Sequence, residues 1–246
     1  MGKVVIVTGA SGGIGGSIAA EFGRTGAHVL VNYHSSKVSA DTVAAKVHEY
    51  GGKAQVYKAD VSHFGEVKAM TEFAIKKWGR IDVLVNGAGG PAHKFGGHDQ
   101  SIIDMDEAIW DKVISVNVKG AMLCIKAIAP HLIRQKGGHI INISSGVAFS
   151  GRSGRSPYVA AKAAVFGITK CAARELGEYN VKVNAVCPGR IRHSGWTGVA
   201  TTPGASDNLL GRISGSEVEF AKFVVHLSTM DDISGQILNL DSRILF

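Results

Sequence analysis

The hydrophobic period of this chain keeps switching. Short apolar runs rich in β-branched residues alternate, from one end to the other, with stretches whose apolar positions recur every three to four residues. Val4–Thr8 reads as a strand and Gly13–Thr25 as a helix; Val29–Tyr33 is a strand and Val38–Tyr50 a helix; Ala54–Ala59 is a strand and Phe64–Lys77 a helix. Ile81–Asn86 is a strand running into Gly87–Gly90, and Asp111–Arg134 is a long helix. His139–Ser144, Val181–Val186 and Gln236–Leu240 are further strands, with helices over Tyr158–Tyr179 and Glu217–Ser228 between them. Parallel strands need a crossover connection, a helix supplies it, and the right-handed sense of crossovers lays helices on both faces of the sheet. The pattern predicts an α/β fold, a single Rossmann-type doubly wound parallel sheet of about seven strands. A length of 246 residues suits one such domain, 1–246, and no linker or repeat divides it. Residues 189–215, rich in Gly, Ser and Thr and weakly periodic, are expected to form a lid over a substrate pocket.

Composition narrows the function classes. With 45% hydrophobic and 19% charged residues the chain is expected to be globular rather than disordered. Its three cysteines, Cys124, Cys171 and Cys187, are odd in number and form no C-x-x-C pair, which reads as reduced, buried thiols of a cytoplasmic protein. The 10 histidines show no zinc-like spacing, so no metal is expected. The opening residues lead straight into a strand, without the charged and long apolar regions of a signal peptide, and Ile6 stands where a myristoylation motif has Ser or Thr. No run is read as reaching the roughly 18 apolar residues of a membrane helix. The net charge of +7 is spread along the chain, so it points to an anionic substrate or partner more than to nucleic acid.

The first strand leads into a glycine-rich turn, Thr8–Gly15, and then a helix. Gly9 permits the tight turn, and Gly13 and Gly15 let the backbone approach a pyrophosphate. The free N–H groups of that turn, with Ser11 and Ile14 in it, then face the phosphates together with the helix dipole. Further on, Tyr158 and Lys162 stand four apart, on one face of a helix, and Ser145 lies 13 residues before Tyr158, just past a strand. Carbonyl reduction needs a proton on oxygen while hydride reaches carbon, and a Tyr beside an ammonium is suited to supply it. A neighbouring Ser can orient and polarise the oxygen.

These motifs, in this order, resemble those of the short-chain dehydrogenase/reductase family. The spacing of Gly9, Gly13 and Gly15 is similar to the family's fingerprint, and Asn86–Gly89, with Ala88 in it, resembles its Asn-Asn-Ala-Gly motif. Ser145, Tyr158 and Lys162 resemble the family's catalytic set, with Asn117 as its fourth member. The resemblance implies that Asp60 and Val61 hold the adenine, that Tyr158 and Lys162 also contact the nicotinamide ribose, and that Pro188, Gly189 and Ile191 line the nicotinamide side. It implies that Asn117 holds a water linking Lys162 to solvent. Two departures stand out: His193 and Ser194 occupy the place of a carboxamide-binding Thr, and Asp241-Ser242-Arg243 replaces a C-terminal Asp-Gly-Gly. At the end of the second strand Tyr33 takes the position of the carboxylate that selects NAD, with His34, Ser35, Ser36 and Lys37 able to donate to a phosphate, so NADP is favoured over NAD. Gly12, where many NADP-using members carry Arg, argues the other way.

In length and layout the nearest resemblance is to β-ketoacyl-carrier-protein reductases; sugar, polyol and small-alcohol dehydrogenases share the layout. A dinucleotide-binding sensor without turnover is the reading from another class, and the presence of both Tyr158 and Lys162 argues against it. The resemblance implies a homo-oligomer, a tetramer formed through the helices Asp111–Arg134 and Tyr158–Tyr179. Arg152, Arg155, Arg190, Arg192 and His193 are expected around the pocket mouth, where guanidinium groups suit an anionic or carrier-bound carbonyl or alcohol substrate.

Overall fold

The computed structural model describes residues 2–189, 191 and 216–241. The first half alternates β1 (Val4–Val7), α1 (Gly13–Gly23), β2 (His28–Tyr33), α2 (Lys37–Glu49), β3 (Lys53–Lys58), α3 (Phe64–Trp78) and β4 (Val83–Asn86). A 3-10 turn, Ala92–Phe95, precedes α4 (Glu107–Ile114), a π-helical segment Ser115–Lys119 and α5 (Gly120–Gln135). Then come β5 (Gly138–Ile143), the short α6 (Val147–Ser150), α7 (Ser156–Leu176), a 3-10 turn Gly177–Tyr179, β6 (Val181–Pro188), α8 (Glu217–Leu227) and β7 (Ile237–Leu240). The strands form one 7-stranded sheet in the order β3-β2-β1-β4-β5-β6-β7. Every neighbouring pair is parallel, with Val5 of β1 opposite Val29 on one side and Val83 on the other. This is the doubly wound sheet that the alternating periodicity predicts.

Strand side chains alternate between faces, and each face has its own core. Val5, Val7, Val29, Val31, Val83 and Val85 pack with α1, α2 and α8. Ile6, Leu30, Leu84 and Ile140 point the other way, onto α3, α5 and α7. Both sides of the inner strands are buried, which is why they read as unbroken apolar runs. The strand order reverses between β1 and β4, and the crevice this opens at the carboxyl ends of the strands is where a doubly wound sheet takes its ligand.

Several boundaries differ from the sequence reading for local reasons. The long helix begins at Glu107 rather than Asp111, because the Asp106 carboxylate caps it, accepting from the backbone N–H of Ala108 at 2.8 Å and of Ile109 at 3.3 Å. It is then interrupted by the π segment, where Asn117 donates to the Val113 carbonyl at 2.9 Å. The whole helical run Glu107–Gln135 spans 29 residues, and its best 18-residue window, with a mean hydropathy of 1.4, is apolar enough to cross a membrane by length and composition. The sequence reading had found no such run. Half of that window is buried, with Cys124, Ile128 and Leu132 fully enclosed against the sheet, so the apolarity is that of a core helix. Cys124 and Cys187 are buried free thiols, while Cys171 is free but exposed on α7, contrary to the expectation that all three are buried. The expected lid, with Arg190, Arg192, His193 and Ser194, and the altered C-terminal Ser242 and Arg243 lie outside the described residues, of which only Gly189 and Ile191 belong to the 189–215 segment.

Candidate active site

The first turn is fixed from below by residues whose role the sequence did not announce. Asn32, buried at the end of β2, accepts from Gly9 N–H at 3.1 Å through Oδ1 and donates to the Ala59 carbonyl at 3.0 Å. Thr8 Oγ1 accepts from the N–H groups of Gly87 and Ala88 at 3.1 and 3.2 Å, joining the β1 and β4 turns. Gly9 has φ +64, and a Cβ on it would sit 2.6 Å from Ala88; a Cβ on Gly15 would sit 2.5 Å from the Gly9 carbonyl oxygen. These two glycines are required by close packing, which a side chain would break. Gly12 and Gly13 differ: a Cβ at either meets nothing within 4 Å, because they face an open cavity. Gly12 caps α1 without any side-chain hydrogen bond, so the first helical N–H groups point into that cavity.

The cavity measures about 980 Å³. It runs from His34, Ser35 and Asp60, past Ser11, Gly13 and Gly89, to Ser144, Tyr158, Lys162 and Pro188. Ile14, Gly15, Val61 and Ala88 also line it. Asp60 is well placed for a polar contact: burial works against its ionisation, yet two hydrogen bonds from Ser62 and the imidazoles of His34 and His63 hold its carboxyl below the usual range. Four expected cofactor residues do not line this cavity: Asn86, which lines a separate small cavity, and Tyr33, Ile191 and Gly189. Tyr33 is 8% exposed and belongs to the core beneath α1 and α2, so its ring does not reach the cavity wall. Ile191 is likewise packed in that core. Gly189 stands against Asp241, where a Cβ would meet the carboxylate at 2.6 Å. Lys94, Lys112, Ser115 and Val116 line the cavity although the sequence reading passed over them. Helical periodicity from Asp111 placed Lys112 on a helix without saying which way it faced.

At the far end, α7 is clamped over the end of β5. Ser144 Oγ donates to the Lys162 carbonyl at 2.7 Å, and Lys162 Nζ donates to the Ile143 carbonyl at 2.9 Å. Lys162 is buried, which pushes its pKa down to about 8, and its ammonium lies 5.6 Å from the centre of the Tyr158 ring. The Ser145 side chain acts on the Tyr158 phenol from the loop after β5. Burial raises the Tyr158 phenol above its ordinary pKa, and the Ser145 hydroxyl and the Arg155 guanidinium pull it part of the way back. The lowering expected from Lys162 comes instead from these two groups. Asn117 is buried with its amide fully engaged: Oδ1 accepts from Gly90 N–H and Nδ2 donates to the Gly90 carbonyl, both at 3.0 Å. Its side chain therefore holds the β4 loop in place. Behind Lys162 lies a small polar cavity of about 10 Å³, lined by Asn117, Asn86, Thr8 and Asn142. Asn86 donates to Asn142 at 2.8 Å, and its own Oδ1 is buried without a hydrogen-bond partner. Arg155 does not stand free at the mouth: its Nε is 2.8 Å from Asp99 Oδ2.

Tyr158 and buried Lys162 thus meet at one end of a glycine-cradled cavity, and Ser145, which is not in its lining, acts on the tyrosine from the loop after β5. Residues 3–202 match the family described as short chain dehydrogenase. The chain belongs to this family. It is 44% identical over 191 residues to the 3-oxoacyl-[acyl-carrier-protein] reductase FabG of Staphylococcus aureus (strain Mu50), covering 78% of this chain and 75% of that one. It is 42% identical over 189 residues to the 3-oxoacyl-[acyl-carrier-protein] reductase of a Synechocystis species, covering 77% and 74%. Among solved structures, acetoin dehydrogenase YohF from Salmonella typhimurium superposes with a TM-score of 0.86 at 34% identity, covering 99% of this chain and 96% of that one. As a short-chain dehydrogenase the chain is an oxidoreductase that uses a nicotinamide dinucleotide. Its own residues fit that cofactor: the open faces of Gly12 and Gly13, the uncapped start of α1 and the length of the cavity make a cradle for a pyrophosphate between two nucleoside ends.

Proposed function

We propose that this short-chain dehydrogenase interconverts a carbonyl and a secondary alcohol, with Ser145, Tyr158 and Lys162 as its catalytic residues and NADP(H) as its preferred cofactor. The observation that carries the reading is the convergence of Tyr158 and buried Lys162, its ammonium 5.6 Å from the centre of the ring, at one end of the cavity, with Ser145 acting on the phenol. The bound dinucleotide supplies or accepts the hydride. Ser145 holds the substrate oxygen, and Tyr158 donates the proton to it in reduction and takes it back in oxidation. Lys162, its ammonium 5.6 Å from the centre of the ring, would bind the nicotinamide ribose. The small cavity next to Lys162 has the room one water takes and offers it the polar groups it needs, which supports the route for reprotonation expected beside Asn117. Gly9, Ser11, Gly13, Ile14 and Gly15 would hold the pyrophosphate, Asp60 and Val61 the adenine, and Ala88, Gly89 and Pro188 the nicotinamide half.

The preference for NADP(H) rests on the end of β2. Of the described residues there, His34, Ser35 and Ser36 line the cavity; β2 itself ends without a carboxylate, and that of Asp60, from the end of β3, lies 3.6 Å from His34 Nε2. The favoured substrate is a 3-oxoacyl thioester on an acidic carrier, the class named for relatives of 44% and 42% identity. A small hydroxyketone is the second reading, favoured by the 99% coverage of the acetoin dehydrogenase structure. The unit works as one domain and as a cytoplasmic homotetramer; the free thiols support the compartment. Steady-state kcat/KM for a carrier-bound 3-oxoacyl thioester, its free thioester analogue and acetoin, each with NADP(H) and NAD(H), tests the assignment. A kcat/KM highest for acetoin reverses the order of the two substrates, and absence of turnover on every ketone and alcohol removes the reading altogether.

A further inference from the structure

Arg155 stands at the N-terminus of α7, the helix that presents Tyr158 and Lys162, and its carbonyl accepts the first-turn hydrogen bond from Val159 at 2.9 Å. Its guanidinium Nε donates to Asp99 Oδ2 at 2.8 Å across 56 residues of sequence. Asp99 belongs to the segment between the 3-10 turn Ala92–Phe95 and α4, and that segment is tied down at two more points. Gln100 N–H donates to the Gly154 carbonyl at 2.9 Å, one residue before Arg155. Gln100 Oε1 accepts from Asp106 N–H at 3.3 Å, and Asp106 caps α4. Gly154 has φ +78, and a Cβ on it would lie 3.2 Å from Asp99 Cβ, so the two loops pass in contact. The Arg155 side chain is 24% exposed and that of Asp99 41%, so the pair is partly withdrawn from solvent and less screened than an open surface pair.

The groups acting on Tyr158 come from several sides. The Ser145 hydroxyl acts on it from the loop after β5, and Arg155 from the start of its own helix. The Lys162 ammonium lies beneath the ring, with the Cys187 thiol of β6 interacting with that lysine. Asp99 reaches the group only through Arg155. A guanidinium near a phenol favours the phenolate, and a carboxylate bound to that guanidinium offsets part of its field.

We propose that Asp99 is a positioning residue for the reaction: it holds the Arg155 guanidinium against the start of the catalytic helix and balances its charge beside the reacting hydroxyl. The inference rests on the reading of Tyr158 as proton donor. It has a signature that support of the fold does not share, since the two members of one ion pair move the ionisation of Tyr158 in opposite directions. Without the carboxylate, the cation acts unopposed and the phenol ionises more readily. Without the guanidinium, the phenol loses a stabiliser of its anion and ionises later.

The test is the pH profile of kcat/KM for ketone reduction, read at the upper alkaline limb, above the step that Lys162 sets near 8, which falls as Tyr158 loses the proton it must donate. In Asp99→Asn the limb moves to lower pH by about 0.5–1 unit, and in Arg155→Met it moves to higher pH by a similar amount. The double variant follows Arg155→Met, because Asp99 has nothing left to balance, and Asp99→Glu returns the limb to its wild-type place. Limbs that stay fixed while rates fall, or that move the same way in both single variants, overturn the proposal. If Arg155→Met does not fold, Asp99→Asn against Asp99→Glu decides alone: equal limbs in those two overturn it. Tyr158→Phe in the same assay separates the two levels. Turnover retained there sinks the assignment of Tyr158, whereas lost turnover there with immobile limbs in the ion-pair variants sinks only the role of Asp99.

Discussion

Tyr158 lies under two opposed influences, burial against the Ser145 hydroxyl and charge at its rim, and burial prevails in this structure. The phenol is therefore protonated through the neutral range, which is the state reduction requires. Replacing it with Phe keeps the ring packed against Ala161 and Val113 and removes only the acid. Tyr158→Phe should retain thermal stability and cofactor affinity while kcat falls about 10²–10⁴-fold, measured by stopped-assay kinetics beside cofactor titration. Lys162 behaves in the opposite sense: burial depresses it to about 8, so it carries its charge below that pH and loses it above. At the other end of the cavity Tyr33 turns into the core and Ser35, two residues on, lines the wall, so a carboxylate introduced there would repel a 2′-phosphate and bind ribose hydroxyls. Ser35→Asp should shift the ratio of kcat/KM for NADP(H) over NAD(H) toward NAD(H) by tenfold or more, about 1.4 kcal/mol; an unchanged ratio would place the phosphate elsewhere.

At the scale of elements, α4 shows what a sequence reveals and what it hides. Only its last turn was legible, because Val113 falls inside the helix expected from Asp111, whereas Ile109, buried like it, lies before that start. Its start was not, because an aspartate cap is a three-dimensional event: Asp106 looks like any polar loop residue until its Oδ1 meets two backbone N–H groups. Asp106→Ala should cost about 1 kcal/mol and lower the melting temperature by about 2–4 °C in calorimetry. A loss well beyond that would mean that the cap also supports the Gln100 turn it contacts. The same division runs through the site. The Gly9–Gly15 turn, Ser145, Tyr158 and Lys162 were legible because their spacing is local to one strand–loop–helix unit. Asn32, Lys94 and the Asp99–Arg155 pair were not, because their partners lie in other units and neither period nor spacing encodes contacts between units. Tyr33 went astray for a related reason: a position counted along a strand says nothing about which face its side chain takes, and this one faces the core.

The whole molecule places buried titratable groups at both ends of the sheet, Lys162 at the carboxyl ends of the strands and His139 and Lys182 at the amino ends. Met122 on α5 is 42% exposed, and Phe149, 46% exposed, stacks on Phe166 of α7 at 4.9 Å, which leaves apolar surface along both helices expected to join subunits. Light scattering at micromolar concentration should report a mass near four times 25.8 kDa; a stable single-chain mass would refute the tetramer. At the amino ends of the strands, far from Tyr158, His139 opens β5 with its side chain buried. Burial first, and then the ammonium groups of Lys3 and Lys182, push its pKa from 6.5 to about 4, with Asp231 pulling the other way. Nδ1 is buried without a hydrogen-bond partner, so the ring is held neutral by its surroundings rather than by a bond. The folded state thus binds this proton more weakly than the unfolded state does. The contribution is fully present above pH 6.5 and is lost as the pH falls toward about 4. Its size is about 3 kcal/mol at most. The Asp231 carboxyl is also held low, chiefly by its hydrogen bond to Lys182, and its contribution is lost in the same direction at still lower pH. Urea unfolding between pH 7 and 4.5 should therefore show wild type weakening steadily with acid, while His139→Gln, which has no proton to take up, weakens distinctly less over the same interval. Parallel pH dependences for the two proteins would show that the acid sensitivity arises elsewhere in the molecule.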